Sequence, residues 1–251
     1  MIQIARIKFF LFFNLFILVS FLSFSQQKKN EIRENYHFTY FGINYSPIIP
    51  SNIIQKNDVT IVRDSITMSI NQKPGFVFGM EVKHDFTRFF ALQTGLNFIR
   101  RTYNVDVKDK DTSHTASLKF IGYEIPLLGL GFVRVAEHFY ANVSAGFCFN
   151  FFPSDIAVSK FYGQRYRWTQ IAIMANVGIE YRNENYGNFY VGVMYQHQER
   201  SMMTVFYFRE YVYGKSNAYI GLSGNYLSLN LKYYFPQNPQ KEKKKKRYGD
   251  N

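Results

Sequence analysis

The chain has 251 residues and carries 30 Lys+Arg against 18 Asp+Glu, a formal net charge of +12. Hydrophobic residues make up 47% and aromatic residues 19%, with 27 Phe and 20 Tyr, so there is ample apolar surface to bury and a disordered chain is excluded. One cysteine excludes a disulfide framework and a Cys-rich metal site, and after residue 22 no apolar run approaches the ~20 residues of a spanning helix.

Residues 1–25 read as an export signal. Arg6 and Lys8 give the basic start, residues 9–22 the apolar stretch, and Ser23 and Ser25 the small residues before a cut at Gln26. The apolar stretch is too short to span a bilayer as an anchor, and no cysteine adjoins the cut to carry a lipid. Residues 26–35 are expected to form a short periplasmic segment.

From residue 36 the chain alternates with a period of two. Successive side chains of a strand point to opposite faces, so each such segment predicts a two-faced strand. In chain order the expected strands are 37–47, 75–84, 89–101, 117–132, 139–151, 170–181, 188–196 and 227–235. The fifth is the clearest: Ala141, Val143, Ala145, Phe147, Phe149 and Phe151 lie opposite Tyr140, Asn142, Ser144, Gly146, Cys148 and Asn150. The fourth contains Pro126, which removes a ladder donor and predicts a bulge or weakened pairing. Connections alternate in length. About 27 residues join the first two strands, and the other long connections are expected as loops at 102–113, 152–168 and 200–224; within the last, the run 204–224 alternates weakly, which allows the final hairpin to extend beyond the membrane. Short turns are expected near Asp85–Arg88, Arg134–His138 and Arg182–Gly187. This alternation predicts an all-β protein, an eight-stranded antiparallel up-and-down transmembrane β-barrel over 36–235.

Alternation alone fits a soluble barrel with apolar residues inside as well as a membrane barrel with apolar residues outside. The polar face decides between them. It holds mainly Gly, Asn, Ser, Gln and Tyr, not the Lys, Glu, Asp and Arg of a water-facing surface. Tyr45, Phe151, Tyr181, Tyr195, Tyr233 and Phe235 cluster towards strand ends, as aromatic rings do at membrane interfaces. The expected location is therefore the outer membrane, with both termini in the periplasm and the lipid bilayer as the first partner.

Three stretches carry a family resemblance: SFSQ at 23–26, YEIPLLGLGF at 123–132, and the aromatic-ended NLKYYF at 230–235. The chain resembles the small Bacteroidetes outer-membrane β-barrels of the PorT-like type. Some members are implicated in type IX secretion and gliding motility. The resemblance therefore implies a non-enzymatic scaffold or accessory subunit of a cell-envelope assembly. This chain departs from such barrels by running 16 residues past the terminal aromatic Phe235.

With polar faces inward, Glu81, Lys83, Glu124, Glu180 and Lys232 are expected in the lumen as a structural ion-pair network, since buried charges must pair. A proton or ion path is the functional alternative, and an eight-stranded interior is too full for an open pore. The tail 236–251 carries Lys241, Lys243, Lys244, Lys245, Lys246 and Arg247 and is expected to be a disordered periplasmic segment. That tail or the outer loops could contact anionic lipid or envelope proteins; an exported chain is not expected to meet nucleic acid. Asp106, Asp109, Asp111 and His114 have the spacing of hard-cation ligands but lack the glycine and terminal glutamate of an EF-hand loop, so a solvated loop is expected. His197, Glu199 and Ser201 lie at i, i+2 and i+4 on one expected strand face. They are the residues an outer-leaflet enzyme would need, and ordinary loop polarity explains them as well. Gly129-Leu130-Gly131 lacks the following helix of a phosphate loop. Trp168 is placed at the outer interface and Cys148 in the lumen as an inert thiol. No catalytic residue, metal or cofactor is expected.

Overall fold

A computed structural model describes residues 38–50, 58–63, 65–110, 112–183, 185–209 and 218–236. The export signal, the 26–35 segment and the six basic residues of the tail lie outside the described residues. The described chain belongs to one compact unit, Tyr36–Asn251.

Thirteen strands form two sheets among the described residues. They are β1 (Phe38–Ile49), β2 (Asp58–Arg63), β3 (Ile66–Asp85), β4 (Phe90–Asp109), β5 (Thr112–Arg134), β6 (Phe139–Phe151), β7 (Ile156–Val158), β8 (Phe161–Arg165), β9 (Thr169–Asn183), β10 (Gly187–His197), β11 (Ser201–Tyr207), β12 (Ala218–Ser223) and β13 (Tyr226–Tyr234). The first sheet has nine strands, β1-β13-β10-β9-β6-β5-β4-β3-β2, and a further β1–β3 pairing joins its ends. All its pairings are antiparallel. β1 meets β13 through Gly42↔Tyr234 to Ile49↔Leu227 and β3 through Phe38↔Asp85 to Ile48↔Gly75. The pairing thus runs β1-β3-β4-β5-β6-β9-β10-β13 and back to β1, with β2 attached beside β3. The second sheet is β12-β11-β8-β7.

Each of the eight expected segments overlaps one strand of the first sheet. The long connections are corrected. The expected loop 102–113 is instead the continuation of β4 and β5 to a tight turn at Lys110. The stretches 152–168 and 200–224 hold β7, β8, β11 and β12, where the weak alternation read over 204–224 already allowed a hairpin extension, and the first long connection holds β2 and the start of β3. Together β2, the far halves of β3–β5 and the second sheet make a head beyond the ring. Ile66, Met68, Ile70, Tyr103, Val105, Val107, Leu118, Phe120, Met203, Val205, Tyr207, Ile220 and Leu222 share its apolar core.

The physical reason is an inversion of polarity along continuous strands. On β5, Ile121, Tyr123, Ile125, Leu127 and Val133 face outward while Glu124 faces inward. Farther along the same strand, Thr115, Ser117 and Lys119 are the exposed residues, and Ala116, Leu118 and Phe120 are buried. β4 does the same. Phe90, Leu92 and Leu96 are exposed opposite Gln93 and Asn97; then Asn104, Asp106 and Lys108 alternate with the buried Tyr103, Val105 and Val107. β3 achieves it with a bulge between Lys73 and Phe76, which shifts its inward positions from even (Ile66, Met68, Ile70) to odd (Val77, Glu81, Lys83) along the chain. The apolar outer run Ile121–Val133 corresponds to roughly 30 Å of height at a strand rise of ~3.3 Å and a tilt near 40°.

The short turns are closed locally. Thr87 Oγ1 accepts from Phe90 N at 3.0 Å, and Asn183 Oδ1 accepts from Asn185 N and Tyr186 N at 2.9 and 3.0 Å. Gly187 follows at φ +84°, where a side chain would be strained. The ladder expected to weaken at Pro126 does so. β4 and β5 pair up to Thr94↔Leu127 and resume at Asn97↔Glu124, leaving Gly95 and Leu96 unpaired to β5.

Candidate functional site

The ring's interior is a polar column built by the inward positions of its strands. Near the short turns, Lys83 of β3 reaches Glu180 of β9 at 2.6 Å. These strands are four apart in the ring whichever way one counts, so the pair bridges the lumen. Glu180 also accepts from Arg182 Nε at 2.7 Å, and Arg182 lies 3.6 Å from Asp85. The two cations sit in aromatic surroundings. Lys83 Nζ is 4.4 Å from the Tyr234 ring centre and 5.0 Å from that of Tyr40; Arg182 is 4.3 Å from Phe132 and 4.4 Å from Tyr140.

At mid-height, Glu81 accepts from Asn44 Nδ2 at 2.6 Å, Lys232 Nζ at 3.0 Å and the Tyr234 hydroxyl at 3.1 Å. Asn44 Nδ2 also donates to Asn97 Oδ1 at 2.9 Å. Beneath the head, Arg101 of β4 lies 3.5 Å from Glu124 and donates to the Gly224 carbonyl at 2.8 Å. Tyr226 of β13 donates to Glu124 from the opposite wall at 2.8 Å. Gln198 is held between Asn150 and Gln170 and joins β6 to β9. The hydroxyl of Tyr190 donates to Asn176 at 2.7 Å and lies over paired glycines of neighbouring strands. A Cβ on Gly178 or Gly192 would come within 2.6 or 2.1 Å of it. A lumen cavity bounded by Asn44, Glu81, Asn97, Met174, Met194 and Lys232 encloses only about 10 Å³, room for about one water.

All five expected lumen residues are buried, and the partners are now specific: Glu180 with Lys83, Glu81 with Lys232, and Glu124 with Arg101. Arg101, Asp85 and Arg182 were missing from the sequence reading. Arg101 was legible as the odd-numbered successor of Gln93, Asn97 and Ile99. Asp85 and Arg182 continue the inward positions of Glu81 and Lys83 and of Glu180, but lie at the strand ends that the sequence reading assigned to turns. Cys148 is fully buried and donates to Asn150 Oδ1 at 3.3 Å.

The other candidates separate. Asp106 accepts from Thr115 at 2.7 Å across β4–β5, and Asp109 pairs with Arg209. Asp111 lies outside the described residues, and no metal-holding group of His, Cys, Asp or Glu occurs among the described ones. The hydrogen bonds from the Arg209 guanidinium hold the Asp109 carboxyl below its ordinary range. That tie is complete above the ordinary carboxylate range and is lost as pH falls through the lowered value. His197 ends β10 in the first sheet, whereas Ser201 opens β11 in the second, so the expected shared strand face does not exist. Trp168 is exposed just before β9 and packs against Phe151 at 5.7 Å, edge to face.

No protein-family model matches the sequence, and no curated protein matches it. Among solved structures, the chain is similar to the outer membrane protein OprG from Pseudomonas aeruginosa. The TM-score is 0.52 at 12% identity, covering 82% of this chain and 100% of that one. The fold is that of an outer-membrane β-barrel protein.

Proposed function

We propose that the chain spans the outer membrane through the eight strands that pair in a ring, as a sealed, non-enzymatic barrel serving a cell-envelope assembly. The short turns and both termini lie in the periplasm, and the two-sheet head stands outside. The polarity inversion supports this reading. A surface that is apolar over the ring and polar over the head, on the same strands, fits a wall passing from hydrocarbon into water. The scaffold role, and a place in type IX secretion or gliding, rest on the resemblance to PorT-like barrels carried by residues 123–132 and 230–235. The head, built on a shared apolar core, supplies a surface for such an assembly, and the basic tail a second point of attachment.

The lumen favours a plug over a conduit. Three levels of cross-wall contact cross it, and the cavity beside Glu81 and Lys232 holds about one water. Reconstituted protein should show no stable conductance steps in planar bilayers; steady steps would refute the sealed lumen. The enzyme alternative loses its expected constellation, because His197 and Ser201 belong to different sheets. His197→Ala and Ser201→Ala should leave the lipid composition of the envelope unchanged, and an altered composition would restore that alternative. The assembly role is tested by purifying the tagged chain from its own membranes: a defined envelope protein should accompany it stoichiometrically, and its absence across repeated preparations would retire the role.

A further inference from the structure

Where the wall turns from apolar to polar, β3, β4 and β5 place three cations on one outward patch. Lys73 pairs in register with Thr102, and Thr102 with Lys119, so the two lysines lie on one transverse row, about 10 Å apart at two strand spacings. Arg100 is two residues from Thr102 on the same face, about 7 Å along β4. Lys73 and Lys119 are exposed and Arg100 half-exposed. Among the described outward residues of these strands the one carboxylate is Asp106, about 13 Å beyond Thr102 along β4 and bonded to Thr115.

Directly on the apolar side runs an aromatic rung: Tyr45–Phe76 at 6.2 Å, Phe76–Phe98 at 6.1 Å and Phe98–Tyr123 at 6.1 Å between ring centres. Aromatic rings settle at the headgroup level of a bilayer, and cations just above them meet lipid phosphates. We propose that Lys73, Arg100 and Lys119 form a binding site for the phosphate-bearing headgroup of a membrane lipid in the outer leaflet, its acyl chains lying on the aromatic rung. Charge and height both select an anionic lipid: one guanidinium and two ammonium groups stand together at the headgroup level, against Asp106 farther along β4 and Asp58 of β2, which pairs with Asn71 two residues from Lys73. The inference rests on the membrane reading above.

The test uses the full chain refolded into phosphatidylcholine vesicles containing a minor fraction of spin-labelled phosphatidylglycerol. Wild type should hold the labelled phosphatidylglycerol in preference to labelled phosphatidylcholine. Lys73→Gln and Lys119→Gln should each reduce that preference, by roughly fivefold per cation at the upper limit, and the triple variant with Arg100→Gln should abolish it. Arg134→Gln, at the opposite rim, should leave it intact. Equal retention by wild type and the triple variant, or no preference in wild type, would overturn the proposal. Inorganic phosphate displacing the lipid at millimolar concentration would equally overturn it in favour of a free-anion site. Heat-modifiable migration in SDS is recorded for every sample. Its absence in wild type would signal failure of the membrane reading, which is a different result from a folded barrel without lipid preference.

Discussion

Glu180→Leu is expected to destabilise the folded barrel by about 3–5 kcal/mol, the cost of leaving a buried cation without its counter-charge. Lys83 is fully buried, and Glu180 is its ion-pair partner at 2.6 Å. Removing that carboxylate also leaves two cations, Lys83 and Arg182, facing the single carboxylate of Asp85, 3.6 Å from Arg182. The reverse change, Lys83→Met, should cost less, since Glu180 retains Arg182 at 2.7 Å. The double variant Lys83→Met/Glu180→Leu removes both charges and should recover most of the loss, because a matched apolar pair commonly equals a buried ion pair. Urea unfolding in vesicles, followed by the fluorescence of the single Trp168, measures all three. A double variant as unstable as Glu180→Leu would show that the Lys83–Glu180 pair is not the source of the effect.

Val177→Arg should cost about 2–4 kcal/mol in a bilayer. Val177 is 58% exposed, so nothing in the protein interior is disturbed. It pairs with Val143 on one side and Val193 on the other, in the middle of the apolar outer band. A penalty there comes from the solvent around the barrel, which must be hydrocarbon. Asn104→Arg, on the outer face of the head, should change stability by less than about 0.5 kcal/mol, as surface substitutions do in water. Equal small effects at both positions, measured by urea midpoints in vesicles, would mean that water bathes both.

The ring strands were legible because a two-sided environment writes itself into the sequence as strict alternation: Phe139–Phe151 is present as read, and the strand read at 188–196 is one residue longer at each end, Gly187–His197. The head was hidden for a physical reason. Alternation continues through Tyr103–Val107 and Ala116–Phe120, but the polar and apolar classes exchange faces there, since water has replaced lipid outside and an apolar core has replaced the polar lumen inside. A reading that holds the faces fixed sees the pattern end at Arg101 and begin again at Ser117, and fills the gap with a loop. The strands β7 and β8 are three and five residues long, too short for periodicity to speak, and β11 and β12 left only the weak alternation read over 204–224. In the lumen, the identity of inward charges was legible, whereas their pairing was not. Lys83 meets Glu180 across 97 residues because the ring places β3 opposite β9, and only closure of the sheet defines that distance.

The orientation of the wall carries the whole account, and site-directed nitroxides report it most directly. Cys148 is fully buried, so single cysteines introduced at Val143, Val177 and Val193 and at Asn104 and Thr115 can be labelled selectively. In vesicles, the three valine sites should collide with dissolved oxygen and be shielded from a water-soluble nickel complex, and the two head sites should show the opposite. Nickel contact at Val143, Val177 and Val193 equal to that at Thr115 would place the band in water and contradict the membrane-spanning reading.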